Sequence, residues 1–328
     1  MRLRLLRCAW LVAAAASAAS AADLRLGIIG LDTSHVVAFT KLINDPNDPN
    51  HVPGGKVTVA FKSASADIPS SIGRVEEYTR RLQTDFGVQL ADSIPALCEQ
   101  VDAVLLESVD GRPHLEQARP VFQARKPVFI DKPLAGTLRD AIEIFRLAKE
   151  RQVPVFTSSA YRYYESLQAL RQHEVGGIRG AISYGPAELE PHHPDFFWYG
   201  IHPAEALFTV LGPGCGTVAR VSTPATDVVS GKWSDGRTGV LYGLRDGAAP
   251  HKVIIFGTMT VAEQQAGGDD YAPLVREIMK FFQTGVAPVR PAETLELYAF
   301  MEAADESKRQ GGAPVKLSDV LKQNGWSE

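Results

Sequence analysis

Side chains that can move a proton follow two short apolar runs in this 328-residue chain. Lys132 stands between Asp131 and Pro133, directly after the run "VFI", and His114 ends the segment "SVDGRPH" that follows "VDAVLLE". The carboxyl ends of parallel strands face a common ligand crevice, so we expect Lys132 and His114 to face it if these runs are strands. Lys132 could act there as an acid or a base, although a surface lysine held by Asp131 fits the sequence as well.

The densest group of such side chains is the segment "EPHHPDFFWYGIHPAE", residues 190–205. His202 and Glu205 are spaced to share one face of a helix, an arrangement that would suit a divalent metal. Histidines bind the hydroxyl groups of a ligand equally well, so we predict no metal. His202 is predicted to contact substrate or to transfer a proton, and the aromatic residues 196–199 could offer an apolar face to a ligand ring.

The stretch "LRLGIIGLDTSH", residues 24–35, begins like a dinucleotide-binding unit and then departs from its glycine pattern. Gly30 is the first glycine of Gly-x-Gly-x-x-Gly, but Asp32 and His35 replace the other two. The second glycine lets the backbone approach the diphosphate. A carboxylate at that place would repel it by several kcal/mol at about 4 Å. Thr33 and Ser34 could still offer hydroxyl and N–H groups to an anion.

Two alternatives therefore stay open for this turn. Asp32 could simply cap a helix that begins near His35, where the helix dipole favours an acidic side chain. His35 could press strand and helix apart, or it could point into the cleft. The second apolar run ends in "AFKSAS", with Lys62 and Ser63 where an NAD enzyme carries an acidic residue. These two residues could hold the extra phosphate of NADP, or they could be solvated loop residues.

Alternating strand and helix patterns fill residues 24–157, and runs of strands with two late helices follow. The first pattern predicts a Rossmann-like, doubly wound parallel sheet, and the second predicts an α+β domain with an open, predominantly antiparallel sheet. The clearest helix covers residues 138–151, with a capping box formed by Thr137 and Asp140. We predict a signal peptide at residues 1–22, a Rossmann-like dinucleotide-binding domain at 23–157 and a substrate and oligomerisation domain at 158–328.

Three stretches together resemble the Gfo/Idh/MocA family of NAD(P)-dependent sugar oxidoreductases. The first, residues 101–136, resembles the family's strand, histidine loop and Glu-Lys-Pro motif, here Asp131-Lys132-Pro133. The second, "YGIHPAEALFTVLG", is similar to its Gly-x-His substrate helix, and residues 271–317 are similar to its closing helices. The resemblance implies an oxidoreductase, or a redox-assisted lyase, acting on a sugar or related polyol with NAD or NADP.

The resemblance also implies roles for single residues. Lys132 would be the catalytic lysine, with Asp131 beside it and His202 on the substrate helix. The family often has an aspartate four residues before that histidine, where this chain has Trp198. The predicted substrate contacts are Arg162, Trp198, His202 and Glu205. The predicted cofactor contacts are Gly30, Leu31, Thr33, Ser34, Ser63, Ser108, His114 and Lys132.

The N-terminal segment predicts export. Three arginines precede a short alanine-rich apolar run and a set of small residues, as in a Sec-type signal peptide, and the run is too short to span a membrane. We expect the mature protein to be periplasmic or extracellular. A net charge of −4 gives no electrostatic case for nucleic acid or an anionic membrane. The resemblance makes a homo-oligomer through the C-terminal sheet plausible.

Two functional hypotheses follow from the sequence. One is an exported oxidoreductase or redox-assisted lyase with a dinucleotide in the cleft. The other is a cofactor-free descendant of the family that binds a carbohydrate, as the broken glycine pattern and Trp198 suggest.

Overall fold

The structure, a computed structural model, describes residues 22–267 and 270–326. Apart from Ala22, the predicted signal peptide lies outside the described residues. The described chain first builds a six-stranded parallel sheet in the order β3-β2-β1-β4-β5-β6. This is the predicted Rossmann-like arrangement, in which the strand order reverses beside β1. Its strands are β1 (Leu24–Ile29), β2 (Gly55–Phe61), β3 (Gln89–Leu90), β4 (Ala103–Leu106), β5 (Val128–Ile130) and β6 (Val155–Thr157).

Helices cover both faces of this sheet because the side chains of its strands are apolar on both sides. Ile28 packs into one buried cluster and Ile29 into the other, as the alternation of a strand requires. The helices are α1 (Ser34–Asn44), α2 (Pro69–Ile72), α3 (Val75–Phe86), α4 (Ile94–Gln100), α5 (His114–Gln123) and α6 (Leu138–Arg151). Helix α6 has the predicted bounds, and the Thr137 hydroxyl accepts the Asp140 N–H at its start.

The second half builds a seven-stranded mixed sheet in the order β12-β11-β7-β10-β9-β8-β13. Only β7 and β10 pair in parallel, so the sheet is largely antiparallel, as predicted. The strands are β7 (Ile178–Pro186), β8 (Cys215–Ser222), β9 (Thr226–Trp233), β10 (Thr238–Leu244), β11 (Lys252–Gly257), β12 (Val261–Glu263) and β13 (Val315–Lys316).

Helices cover one face of this second sheet. Helices α8 and α10 pack on it, while α9 returns to the first half and joins the cluster around Leu26 and Ile28. The helices are α7 (Glu165–Arg171), α8 (Ile201–Leu211), α9 (Ala272–Thr284), α10 (Pro291–Arg309) and α11 (Leu317–Gln323), with a 3₁₀ turn at Ala160–Tyr163 and a π-helical turn at Phe196–Gly200. Among the described helices, none has the length and apolar character needed to cross a bilayer.

Candidate functional site

His35 and Asp131 form a buried pair at the carboxyl edge of the first sheet. Thr33 is the N-cap of α1, so His35 lies in its first turn, and Asp131 follows the last residue of β5. His35 Nδ1 lies 2.6 Å from Asp131 Oδ2. The imidazole stacks on Phe39 at a centroid distance of 5.2 Å and meets the edge of Tyr271 at 4.7 Å. The carboxylate and the two rings fix the orientation of the imidazole and leave Nε2 without a hydrogen bond among the described residues.

His202 lies in the first turn of α8, on the opposite side of the cleft. Its Nδ1 is 2.6 Å from the Ser159 hydroxyl, which also accepts the Tyr161 N–H. Burial lowers the pKa of His202 well below its usual value, and the positive charge of Lys132 lowers it further. His202 is therefore neutral at physiological pH. When Ser159 donates to Nδ1, the remaining proton is on Nε2.

The two halves of the chain enclose a cavity of about 160 Å³ between these histidines. Lys132 lines it, and its Nζ lies 5.9 Å from the centre of the Tyr199 ring. The structure thus brings four predicted site residues, Lys132, His202, Thr33 and Ser34, into one lining. The other lining residues are His35, Arg74, Val109, Ser159, Ala160, Tyr161, Tyr164, Tyr199, His251 and Tyr271.

Glu205 and Arg162 support the cavity wall and do not belong to its lining. Glu205 accepts hydrogen bonds from the Ser158 hydroxyl at 2.7 Å and from Ser159 N at 3.1 Å. Arg162 Nε donates to Glu205 at 2.7 Å, and its Nη2 lies 2.8 Å from Glu293. Both carboxylates balance the guanidinium charge, so Arg162 is placed to orient Glu205 and the Ser158–Ser159 backbone. This geometry does not place Arg162 to form an ion pair with a substrate in the cavity.

Trp198 also lies outside the cavity lining. Its ring packs 5.1 Å from His193, which lies 3.1 Å from Asp110 and 3.0 Å from Glu190. The contact between His193 and Asp110 joins the loop before α8 to the loop after β4. The indole therefore packs at the seam between the two halves, where it shields a histidine held between two carboxylates.

Backbone N–H groups in the turn after β1 donate hydrogen bonds to other parts of the protein. Gly30 N donates to Phe61 O at 3.1 Å, and Leu31 N donates to Ser63 O at 3.3 Å. Gly30 has a φ of +85°, and a Cβ there would lie 2.3 Å from the Ser108 hydroxyl and 2.4 Å from its backbone N. The alternative in which Asp32 caps α1 is wrong, because Thr33 is the N-cap and its hydroxyl accepts the His35 N–H.

The Asp32 carboxylate holds a segment of the chain against this turn. The carboxylate is fully buried, with Oδ1 3.0 Å from Val109 N and Oδ2 2.5 Å from the Ser71 hydroxyl. Burial raises the pKa of Asp32. Ser71 belongs to residues 62–74, here called the β2–α3 segment, in which Ser65 donates to Asp110 at 2.5 Å and Ile68 is buried. The β2–α3 segment therefore lies across the turns that follow β1 and β4.

The remaining predicted cofactor contacts bond to one another. Ser108 donates to Gln117 Oε1 at 2.9 Å, and Gln117 Nε2 donates to Ser63 at 3.0 Å. His114 does not face the crevice, which corrects the prediction: it is fully buried, and its ring nitrogens lie 3.2 Å from Leu134 O and 2.9 Å from Ser108 O. Its burial lowers its pKa. His114 ties the loop after β4 to the loop after β5.

These contacts test whether the turn fits a nicotinamide dinucleotide. Binding of the diphosphate needs close approach of bare backbone and free N–H groups at the turn after the first strand. Here the Gly30 and Leu31 N–H groups are occupied, Asp32 stands in place of bare backbone, and the β2–α3 segment covers the turn. The Gly30–Asp32 part of the turn as folded therefore does not fit the diphosphate, whereas Thr33 and Ser34 at the start of α1 line the cavity.

Sequence reasoning missed several lining residues. Tyr271 and His251 follow elements far along the chain, and Arg74 lies just before α3. His251 packs 5.7 Å from His202 and 4.6 Å from Tyr161, measured between ring centres. Tyr271 is the first residue of the stretch that resembles the closing helices, but nothing in that stretch assigned it to the site. Only the folded chain brings these residues to Lys132.

Comparison with known proteins agrees with this architecture. Residues 57–159 match the family model GFO_IDH_MocA, described as an oxidoreductase family with an NAD-binding Rossmann fold. The resemblance to the Gfo/Idh/MocA family is confirmed. The matched residues run from β2 past β6 and include the Asp131-Lys132-Pro133 motif. No curated protein matches the chain.

Solved structures of Gfo/Idh/MocA type share the fold over nearly the whole chain. Scyllo-inositol dehydrogenase from Lactobacillus casei, with bound NAD(H) and scyllo-inositol, has a TM-score of 0.74 at 14% identity and covers 90% of this chain and 100% of its own. Myo-inositol 2-dehydrogenase from Lactobacillus plantarum has a TM-score of 0.74 at 15% identity, covering 90% of this chain and 99% of its own. At this identity the similarity establishes the fold.

Proposed function

We propose that the protein binds a small hydroxylated molecule of the sugar or polyol type and transfers protons on it without a nicotinamide dinucleotide. The observation that carries the proposal is the His35–Asp131 pair. His35 occupies the position of the last fingerprint glycine, lines the same cavity as Lys132 and His202, and is held by Asp131. Dehydrogenases of this fold with 14–15% identity act on inositols, which supports a polyol or sugar as the ligand class.

The geometry assigns a separate task to each group. His35 Nδ1–H donates a hydrogen bond to the Asp131 carboxylate, so Nε2 is the basic nitrogen, as in other histidine–carboxylate pairs. On a sugar in its carbonyl form, Nε2 takes the proton from the carbon beside the carbonyl. The electron pair of that C–H bond forms a carbon–carbon double bond, and the π electrons of the carbonyl move onto its oxygen, where the Lys132 ammonium stabilises the negative charge. Neutral His202 donates a proton from Nε2 to this oxygen and recovers one from the hydroxyl group on the neighbouring carbon. The carbonyl then re-forms at that neighbouring carbon, and protonated His35 returns its proton to the original carbonyl carbon, which completes an isomerisation.

Proton exchange in heavy water tests this chemistry. The purified protein is incubated in D₂O with a panel of aldoses, ketoses and inosose-type keto-polyols, and loss of the C–H signal next to the carbonyl is followed by NMR. We expect exchange with at least one class, and a loss of about 100-fold or more in His35→Leu, Lys132→Met and His202→Asn. The matched control is His192→Asn, because His192 is partly exposed at the far side of the seam. Exchange that is equal in all four variants and the wild type would refute the proposal.

A dehydrogenase that uses NAD or NADP is the second candidate, favoured by the family model and by the NAD(H) bound to the Lactobacillus casei enzyme. Calorimetric titration with NAD⁺, NADH, NADP⁺ and NADPH separates it from the first. We expect no heat of binding and no rise in melting temperature with any of the four. Saturable binding of one of them, together with hydride transfer to a polyol or sugar, would establish the second candidate in place of the first.

We also propose that the chain is exported through the Sec route and works outside the cytoplasm. Arg2, Arg4 and Arg7 followed by an alanine-rich run support this. A protein exported unfolded cannot bring a folded-in dinucleotide with it, which agrees with the closed turn after β1. Expression of the full chain and N-terminal sequencing of the periplasmic or secreted product test the proposal. A product that keeps Met1 and stays in the cytoplasm would contradict it.

The second sheet supports pairing of two copies of the chain. Large apolar side chains are exposed on its uncovered face, namely Val221 (68%), Tyr242 (37%), Phe256 (37%) and Val261 (57%). We propose that this face forms a homodimer interface, since patches of this kind mark association sites. Light scattering after size-exclusion chromatography tests it. The wild type is expected at twice the monomer mass, and Val221→Lys with Phe256→Lys at the monomer mass.

A further inference from the structure

The side chains that line the cavity are rich in hydrogen-bond donors and contain two cations without a protein counter-ion. Lys132 and Arg74 both line it, and neither has a carboxylate within 4.0 Å among the described residues. Two other cations near the cleft are neutralised: Arg112 by Asp67 and Asp110, and Arg162 by Glu205 and Glu293. The protein therefore pairs the cations around the cavity, whereas the half-buried Lys132 and the exposed Arg74 at its rim form no ion pair with the described residues.

We infer that the ligand of this cavity is an acid, a short sugar acid or hydroxy acid whose carboxylate is held between Lys132 and Arg74. The inference rests on the proposed function and adds the charge class of its ligand. An ammonium and a guanidinium facing one space match a carboxylate, and such charge-assisted hydrogen bonds are about twice as strong as neutral ones. A neutral polyol would offer neither cation an anionic partner.

Of the carboxylates closest to the cavity, Asp131 offsets part of the charge of Lys132, since the Lys132 ammonium lowers the pKa of the Asp131 carboxyl. Arg74 has no carboxylate within 4.0 Å among the described residues, so positive charge stays in excess. Burial and the negative charge of Asp131 raise the pKa of Glu107 well above its usual value, which favours the protonated form of Glu107. The hydroxyl groups of Tyr199 and Tyr271 add donors to the lining, and burial raises the pKa of Tyr271 to about 12, so it keeps its proton.

The size of the cavity limits the acid to a small one. A volume of about 160 Å³ corresponds to about five water molecules at roughly 30 Å³ each. Arg74 is exposed at the rim, whereas Lys132 lies deeper beside Asp131. The carboxylate end would therefore enter between the rim and Lys132, with its hydroxylated carbons toward His35 and His202.

Matched pairs of acid and neutral ligand test the inference by calorimetry. Glycerate is compared with glycerol, lactate with propane-1,2-diol and threonate with threitol; inorganic phosphate serves as an additional anion. We expect each acid that binds to have a Kd at least tenfold lower than that of its neutral partner. This preference for the acid should weaken when the ionic strength is raised. In Arg74→Gln the preference for the acid should fall at least tenfold. Arg80 is an exposed arginine on α3, the helix that follows Arg74, and Arg80→Gln should leave the preference unchanged.

Each outcome bears on one proposal. Equal binding of acids and neutral partners, or an acid preference that persists in Arg74→Gln, would overturn the inference and leave proton transfer by His35 and His202 intact. Phosphate binding as tight as the best acid, displaced by no carboxylate, would overturn the assignment to a carboxylate. Absence of C–H exchange in every sugar and sugar acid, by contrast, would remove the proposed function itself.

Discussion

The Nδ1 atom of His35 lies 2.6 Å from Oδ2 of Asp131, so a residue in the first turn of α1 is bonded to the residue that follows β5. The two strands that these turns follow are separated by β4 in the sheet. The pair therefore closes over the carboxyl end of β4, at the edge where open α/β sheets bind ligands. The Asp131 Oδ1 atom has no partner among the described residues, so His35 carries most of the compensation of this buried charge.

Removing the imidazole should leave the Asp131 carboxylate buried and unpaired. We predict that His35→Leu lowers the free energy of unfolding by about 3 kcal/mol, because a buried charge loses its partner. His35→Asn places an amide donor near the position of Nδ1 and should recover about half of the loss. Urea denaturation at neutral pH measures both. A His35→Leu variant as stable as the wild type would mean that the pair does not compensate Asp131.

The Asp32 carboxylate should be the attachment point of the β2–α3 segment. Asp32→Ala leaves the Val109 N–H and the Ser71 hydroxyl without their acceptor and should cost about 2–4 kcal/mol. Asp32→Asn can accept from Val109 and bond to Ser71, and should cost less than half as much. Limited proteolysis provides a second measurement: cleavage within residues 62–74 should be faster in Asp32→Ala than in Asp32→Asn. Equal cleavage in the two variants would refute this role.

Gly30 should tolerate no side chain. Its φ of +85° already disfavours an L residue, and an alanine Cβ would overlap the backbone of Ser108. We predict that Gly30→Ala costs about 3 kcal/mol or more. Gly87→Ala is the matched control, since Gly87 has a φ of +67° with no atom within 4 Å of an added Cβ, and it should cost about 1 kcal/mol. Equal losses would show that the contact with Ser108 relaxes freely.

Much of the fold is readable from the sequence because its elements are long or strongly periodic. The apolar face and Thr137 cap of α6 determine both of its ends, and β1, β2, β4, β5 and β6 all appear as apolar runs. The two-residue strand β3 and the short helix α4 carry no comparable pattern. Strand β9 has two adjacent valines among small and polar residues and carries no such pattern either.

The sequence predicts only part of the site, because some of its residues depend on partners far along the chain. Lys132 and His202 stand in motifs, so their types and positions point to one cleft. The departures at Asp32 and His35 were visible in the sequence, but their partners, Ser71 and Asp131, lie 39 and 96 residues further along. A single sequence indicates that the glycine pattern is broken. Which groups replace it depends on tertiary contacts that no local spacing encodes.

Glu107 makes the free energy of unfolding depend on pH, and one substitution should remove this dependence. It is fully buried, its two carboxyl oxygens have no hydrogen-bond partner among the described residues, and burial together with the negative charge of Asp131 raises its pKa well above the usual value. The folded state therefore keeps this proton at pH values where the unfolded chain has lost it. Since stability falls with pH wherever the folded state binds more protons, the contribution of Glu107 is complete below its unfolded pKa and decreases as the pH rises toward its folded pKa.

We therefore predict that Glu107→Gln gains stability relative to the wild type between about pH 5 and about pH 8, because the amide stays neutral throughout. At the lower pH the variant should be as stable as the wild type, or less stable by about 1 kcal/mol because its buried amide group has no hydrogen-bond partner. Urea denaturation at both pH values gives the difference. Glu99→Gln, at an exposed position on α4, should show no change in its relative stability over this range. A constant difference for Glu107→Gln as well would mean that Glu107 is ionised in the folded protein, and that the charge around Lys132 is more negative than the contacts of Asp131 alone imply.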